Sequence, residues 1–514
     1  MSGRLEPRAI VIGAGVESLT AAGVLASHGL ETEVLERRTC AGGRYGPCPG
    51  APARLLFDRV PAVHPAVAHA LAPWCPHATA PVHECAVDES GRAFELSGDA
   101  AADARAVGLF SSADSARHAK IHARLNRLAA AVAPLLQRAP PATGFDGDVW
   151  TALATGRRVL GLGRREMFEL LRWPPMAVAD LVEEWYESEL PRALWASRGL
   201  AGTFAGPRSA GTAGVLLLQA AADQAGVRLE SRGEPGRFVD ALLSWLAANH
   251  TRIRFEADVS RVLVEQERVA GVELSNGERI EADVVVSGLP PAHTLLDLLE
   301  PGVLSPDIWR RVKNIRCRGS LARVILIADR PTATAPTRAG ADQVWHTLDT
   351  VSDLERAFDA MKYGGWSQRS WMTVESRNIQ GRAGAMQQVV CVTIRQVPHR
   401  LREGSWASQR GALAEAAERA ALRVFPDLSP RLVERTVLTP DDLRDAIGTA
   451  GTHPWHVELA RDQLWMARPA LGLGGYGTPV SGLYLSGPGT HPGVGPLGTS
   501  GWLAARAALR DTKA

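Results

Sequence analysis

Two glycine-rich stretches at opposite ends of the chain, together with one acid, have the residue types and spacing to hold a phosphate-bearing ligand. The first reads Ala9-Ile-Val-Ile-Gly13-Ala-Gly15-Val-Glu-Ser18. Gly13 permits a tight turn, and Gly15 leaves the backbone open to close approach by a pyrophosphate. The β-branched run Ile10 to Ile12 suits a buried parallel strand. Leu19 to Ser27 has helical composition, and a helix starting here turns free N–H groups toward an anion. A second strand, Glu33 to Leu35, ends at Glu36, 23 residues after Gly13. That is the distance of a ribose-binding carboxylate. Ser18 stands where the fingerprint carries its third glycine, a position that serves close helix–strand packing, so a small Ser is a mild departure. The plain alternative is a βαβ unit with no ligand. It has no need of strand, turn, helix, strand and acid in this register.

Gly42-Gly43-Arg44 follows a few residues later. A nicotinamide-only dehydrogenase does not require this second glycine pair, so the pattern points to FAD over NAD as the resident cofactor. Near the other end, a strand at Leu483 to Ser486 runs into Gly487-Pro-Gly489-Thr-His491-Pro-Gly493-Val494-Gly495-Pro-Leu-Gly498-Thr499-Ser-Gly501 and then a helix. This is a second anion-binding arrangement. One extended dinucleotide accounts for both. A helix starting near Thr499 places its positive end by the flavin N1 and C2 carbonyl, where it stabilises negative charge. His491 is expected to brace the loop.

For proton transfer the candidates are His453 and His456, in Thr-His453-Pro-Trp-His456-Val-Glu458 just upstream of the last strand. They read either as acid–base groups or as structural loop histidines. Their spacing also invites a metal, but no third ligand is evident, so no metal is expected. Trp173, Trp185 and Trp195 cluster in one helical stretch. They read as walls of an apolar substrate tunnel or as core packing. Tyr186 and Glu187 read as wall residues or, more simply, as helix surface. Val159 to Met176 mixes Arg with Leu171, Phe168 and Trp173. That mixture suits a peripheral membrane contact or a helix buried in its domain, and Pro174-Pro175 favours the latter.

The elements that must position these groups follow from length and periodicity. A chain of 514 residues is too long for one hydrophobic core, so two domains are expected. With 46% hydrophobic and 22% charged residues the composition is that of a globular protein. A net charge of +2 gives no nucleic-acid signal. The six Cys, at 40, 48, 75, 85, 317 and 391, have no metal-site spacing and read as reduced thiols. The first strand begins within about ten residues of Met1, so no signal peptide is expected. No run of about 18 apolar residues occurs, so no spanning helix is expected. The expected location is the cytoplasm, with membrane association as the option. Helices are expected over 116–136, 176–190, 215–225 and 411–425, with a break at Pro174-Pro175 and loops at 47–52, 201–214 and 331–340. Val259 to Val264, Val269 to Leu274 and Ile280 to Val286 read as strands. Ser275-Asn276-Gly277 forms a hairpin turn between the second and third. Val284 to Gly288 returns to the nucleotide sheet. Leu321 to Ala328 and Gln388 to Ile394 read as further strands.

Together these residues resemble the phytoene desaturase superfamily of FAD-dependent oxidoreductases. The likeness rests on Val-Ile-Gly13-Ala-Gly15, Leu-Glu36, Gly42-Gly43, and Gly482-Leu-Tyr-Leu-Ser-Gly487 running into Gly489-Thr-His-Pro-Gly493. In the middle, Trp185-Tyr-Glu-Ser-Glu-Leu, Ala210-Gly-Thr-Ala-Gly and Asp462-Gln-Leu-Trp-Met-Ala-Arg468-Pro resemble a branch of pyridine-nucleotide/FAD oxidoreductases related to carotenoid desaturases. The resemblance implies an α/β protein: a Rossmann-like FAD-binding domain from segments 1–62, 223–292 and 441–514, with an inserted α+β substrate domain from 63–222 and 293–440. It implies a cofactor seat including Gly13, Gly15, Ser18, Glu36, Arg37, Gly42, Gly43, Arg44, Gly487, Gly489, His491, Gly495, Gly498 and Thr499. The backbone near Val259 would hold the adenine. The implied activity is desaturation or dehydrogenation of an apolar small molecule, with oxygen, a quinone or a protein as electron acceptor. Amine-type C–N oxidation, redox-neutral isomerisation and a non-catalytic partner subunit are the other readings. Ser18 and Val494 depart from the pattern, the latter replacing part of a glycine run.

Overall fold

The computed structural model describes residues 7–46, 62–76, 82–140, 157, 161–229, 235–332, 342–380, 384–447, 453 and 455–512. The loop expected at 47–52 with Cys48, most of the loop at 331–340, and Val159 lie outside the described residues.

A five-stranded parallel sheet carries the nucleotide motif. Strand β1 (Arg8–Ile12), helix α1 (Val16–Ser27) and strand β2 (Glu31–Leu35) form the expected unit. The strand order is Leu483–Leu485, Val284–Ser287, β1, β2, Arg252–Arg254. Successive residues of β1 point to opposite faces, and both faces are covered. Val11 joins Leu19, Leu25 and Trp245 in the helical layer. Ile10 and Ile12 join Val262, Val272 and Leu298 beneath the expected hairpin. That hairpin pairs Arg268–Leu274 with Arg279–Glu281 across the Asn276-Gly277 turn. Residues 63–75, expected in the inserted part, pack on this sheet: Val63 bridges Val227 and Leu497, and Val67, Ala68 and Leu71 enter the same core. The terminal helix Thr499–Asp511 lies against α1 so closely that a Cβ at Gly501 would sit 2.0 Å from the Glu17 carbonyl oxygen.

The second layer is a seven-stranded mixed sheet, ordered Leu432–Leu438, Gly319–Ala328, Met386–Pro398, Met372–Gln380, Asp342–Thr347, Val82–Val87, Ala93–Leu96. Only two of these strands were legible in the sequence. One of its faces packs on the expected amphipathic helix, Arg410–Val424. A separate helical cluster holds Ser112–Leu136, Val178–Trp185, Glu189–Leu200 and Thr212–Ala225. The single helix expected over 176–190 is two. Tyr186 turns extended, and the Asp114 carboxylate accepts the N–H groups of Glu187 (2.7 Å) and Ser188 (2.9 Å), capping the second helix from outside. Asp180, Glu183, Glu184 and Glu187 are exposed, as expected. Tyr186 is neither a wall nor a surface residue: it is fully buried, and its hydroxyl meets His118 Nδ1 at 2.9 Å.

The basic–apolar stretch also departs from expectation. Arg164–Arg172 is a helix whose buried residue is Glu169, while Phe168 and Leu171 face outward. Glu169 is held inside by Arg172 and by the Trp173 indole N–H at 2.9 Å. Among the described residues, no helix is long and apolar enough to cross a membrane.

Candidate functional site

The C-terminal ends of β1 and β2 open into a groove, as a switch point in a parallel sheet does. Gly15 is the N-cap of α1, in an ordinary extended conformation, and a Cβ placed on it meets no described atom within 4 Å beyond its chain neighbours. The glycine pair docks against this turn: the Gly42 N–H donates to the Ala14 carbonyl at 2.8 Å. Glu36 is buried and faces the same groove. Its two oxygens accept the backbone N–H groups of Ala14 (2.7 Å) and Arg38 (2.9 Å), which fixes the acid beside the glycine turn. Ser18 packs where the third glycine would lie, with its hydroxyl only 1.9 Å from where a Cβ on Gly288 would be. Helix and strand are thus as close as the reading of Ser18 required.

Of the residues the sequence nominated for the cofactor seat, Gly13, Gly15, Ser18, Glu36 and Arg37 line the groove. So do Gly42, Gly43, Arg44, Val259 and Gly487. The others do not. Gly489 packs against Pro291 and His456. His491 is buried and reaches the Leu135 carbonyl at 3.1 Å, so it braces the loop from behind. Gly495 lines a neighbouring cavity. Thr499 donates its hydroxyl to the Pro496 carbonyl at 2.6 Å.

The terminal helix corrects one expectation. Two of its N-terminal N–H groups are taken by Glu17, from the first turn of α1. One carboxylate oxygen accepts the Gly498 N–H at 2.8 Å, and the other accepts the Ser500 hydroxyl and the Gly501 N–H, both at 2.9 Å. The positive end is therefore matched by a protein carboxylate and not left open.

His453 and His456 line the groove near Gly487. Burial drives both imidazoles down to about 3, with Arg468 adding to the effect for each, and burial takes His491 down to about 4. They are neutral at physiological pH. His456 Nδ1 and the Ser486 hydroxyl are buried without a hydrogen-bond partner. A consequence is acid lability. The unfolded chain protonates these histidines near their ordinary 6.5, whereas the folded chain holds them neutral until pH about 3 or 4. Stability is present above 6.5 and should fall as pH drops below it; melting temperatures across that range, compared with those of His453→Gln, check this.

A family model for flavin-containing amine oxidoreductases matches residues 176–509. The chain belongs to that family. Its cofactor is FAD, and it is an FAD-dependent oxidoreductase. Over 100% of the chain it is 29% identical to a rat pyridine nucleotide-disulfide oxidoreductase domain-containing protein 2, covering 95% of that protein. It is 26% identical to a hydroxyneurosporene desaturase of Rhodobacter capsulatus, over 99% of each. Among solved structures, a Methanosarcina mazei oxidoreductase superposes with a TM-score of 0.59 at 15% identity, covering 98% of this chain and all of the other. A putrescine oxidase superposes at 0.58 and 12% identity, covering 99% of each chain. These structural likenesses speak for the fold.

In this family member a second cavity, of about 300 Å³, lies between the C-terminal glycine loop and the seven-stranded sheet. Glu17, Arg44, Tyr45, Gly487, Pro488 and Leu497 line both it and the groove. Thr373 and Glu375, two apart on one strand, face the cavity, while Met372 and Val374 face the core on the other side. Arg395 lies 4.8 Å over the Trp371 ring. The Trp371 indole, a donor only, bonds His346 Nδ1 at 3.1 Å, so Nε2 carries the proton and donates to Glu84 at 2.6 Å. The sequence did not nominate Glu17, His346, Glu84 or Arg395. Among the described residues, no cluster of three or more His, Cys, Asp or Glu could hold a metal ion.

Trp173, Trp185 and Trp195 do not line this cavity. Trp173 and Trp185 pack edge to face at 5.4 Å in the helical core, and Trp185 meets Trp195 at 6.0 Å. Trp195 lines an adjoining cavity with His122, and that cavity shares Ala62, Glu84, Arg198 and Asp223 with the one above. Trp173 and Trp185 are thus core residues, which helical spacing cannot distinguish from a wall, while Trp195 stands at a cavity edge. Trp173→Ala should cost about 3–5 kcal/mol of stability. Urea unfolding checks this; a changed substrate affinity at unchanged stability would restore the wall assignment.

Proposed function

We propose that the chain dehydrogenates a small organic molecule at a saturated carbon, in the cavity that adjoins the FAD groove, and that this molecule carries a polar or charged group. The observation that carries the proposal is the continuity of groove and cavity through Glu17, Arg44, Tyr45, Gly487, Pro488 and Leu497. Desaturation is supported by the desaturase relative. The polar group is supported by the Thr373, Glu375 and Arg395 wall.

The residues fit FAD. The open space at Gly15 is a cradle that a side chain would fill, and the partnerless His456 Nδ1 lies in the groove wall. Gly13, Gly15 and the start of α1 would hold the pyrophosphate, with Gly42, Gly43 and Arg44 closing over it. Glu36 would accept ribose hydroxyls through lone pairs left by its backbone partners. When bound, FAD supplies a two-electron acceptor for hydride. Neutral His453 and His456 shape the groove wall and offer no charge. At the far side of the cavity, Glu84 and Trp371 fix the His346 ring. Glu36→Ala should weaken FAD binding by about 1.5–3 kcal/mol, read by fluorescence titration; an unchanged dissociation constant removes Glu36 from the seat.

A second reading, oxidation of a C–N bond, is favoured by the acidic Glu84 and Glu375 on the cavity wall. Anaerobic mixing of the FAD-loaded protein with polyenes, polar-ended alkenes and amines separates the readings. Flavin bleaching by amines alone selects the second, and bleaching by none of them overturns both. Reoxidation by oxygen, a quinone or an electron-transfer protein then identifies the acceptor.

A further inference from the structure

Among the described residues, Glu17 is the one acid that lines both the cofactor groove and the substrate cavity. It stands on the first turn of α1, where the reading of the glycine motif requires only N–H groups facing a pyrophosphate. Its three hydrogen bonds, to the Gly498 N–H, the Gly501 N–H and the Ser500 hydroxyl, hold the carboxylate in place against the positive end of the terminal helix. Arg44 lines the same junction. The helix end therefore does not present an open positive pole to a cofactor seated there.

We infer that Glu17 sets the reduction potential of bound FAD, holding it lower than a neutral side chain would, and that it also loosens the hold on the cofactor. The inference rests on the groove being the FAD seat. In the reaction a substrate C–H bond breaks, and its hydrogen and two electrons pass to FAD as hydride. The substrate's second hydrogen leaves as a proton to solvent. The site thereby gains one negative charge unless a solvent proton follows. A fixed carboxylate at the junction opposes that gain, and a helix N-terminus already capped does not offset it. The same carboxylate repels the pyrophosphate. Low potential suits an enzyme that hands electrons on readily, at the expense of a weaker driving force for taking them from substrate.

The test is a potentiometric titration of the FAD-loaded protein with a chemical reductant and a reference dye, run on wild type, Glu17→Gln, Glu17→Ser and Glu17→Asp. Gln removes the charge and keeps one of the two acceptor oxygens, so one helix N–H loses its partner and faces an amide donor. Ser brings no such donor clash and is the control for that loss. The Gln and Ser variants should show a raised midpoint potential and an FAD dissociation constant lower by about tenfold. Asp should stay near wild type. If Gln is poorly folded, Ser carries the comparison. A midpoint and dissociation constant that stay at wild-type values in a folded neutral variant, or a midpoint that falls, overturn the inference and leave Glu17 as a helix cap. A wild-type protein that takes up no FAD in the groove overturns the seat itself, which is a different result.

Discussion

Replacing Arg468 by Met is expected to lower stability by about 3–5 kcal/mol, because it orphans a set of buried carbonyls at once. Arg468 has no exposed surface. Its Nε donates to the Thr490 carbonyl at 3.0 Å. Its two terminal nitrogens donate to the carbonyls of Trp455, Val457, Glu458, Gln463 and Pro488, at 2.6 to 3.4 Å. All of these are backbone carbonyls. Burial pulls its pKa down to about 9, which still leaves it charged at neutral pH. One guanidinium thus joins the loop of His456 to the loop of Gly487–Gly493, and packs so tightly that a Cβ on Gly493 would fall 2.3 Å from its Nε. Met fills much of the volume and supplies no donors. Calorimetric melting of the FAD-free protein is the measurement. A loss below about 1 kcal/mol would mean that water replaces the donors and that the network is not what joins the loops. Lys, with its three donors on a single nitrogen, should recover only part of the loss, since it lacks the planar fork.

How much of this was legible in the sequence depended on the span of each feature. The β1–α1–β2 unit declared itself because turn glycines, β-branched strand and terminal acid all fall within one local unit, and each has its own physical reason. The C-terminal loop was equally readable, since a strand, a glycine run and a helix are contiguous there. The seven-stranded sheet was not. Its Val82–Val87 strand lies in Ala-rich sequence and pairs with Asp342–Thr347, 260 residues away, in parallel. Met372–Gln380 alternates core and polar residues because one face lines the cavity, so it lacks the continuous apolar run of a fully buried strand. Glu17 looked like an ordinary first-turn acid, since its partners lie more than 480 residues on. His346 and Glu84 meet across 262 residues. Trp173 and Trp185 misled for another reason: periodicity shows that side chains share a face, and says nothing of whether that face meets a ligand or another helix. Arg468 was quoted only as part of a motif, because no local pattern tells that a surface-type residue will be buried among carbonyls.

Gly15→Asp should separate binding from stability. Gly15 has φ −71° and ψ 165°, which any residue adopts, and a Cβ there meets open space. It is also the N-cap of α1, a position where Asp serves better than Gly by a few tenths of a kcal/mol. The FAD-free variant should therefore melt at or slightly above the wild-type temperature. FAD binding should collapse. A carboxylate about 4 Å from a phosphate charge near a protein surface costs about 4 kcal/mol, roughly a thousandfold in affinity, before any steric exclusion from the cradle. Glu17, two residues on in the first turn of the same helix, already places negative charge at this end, so the added carboxylate compounds an existing repulsion. Paired thermal melts and FAD titrations read both quantities on one preparation. A variant that melts normally and still binds FAD at wild-type affinity would move the pyrophosphate away from the glycine turn and undo the assignment of the groove. A variant that binds no FAD because it no longer folds would show that the space at Gly15 is not open in solution. Opposite movement of melting and affinity is the outcome that the geometry at Gly15 requires.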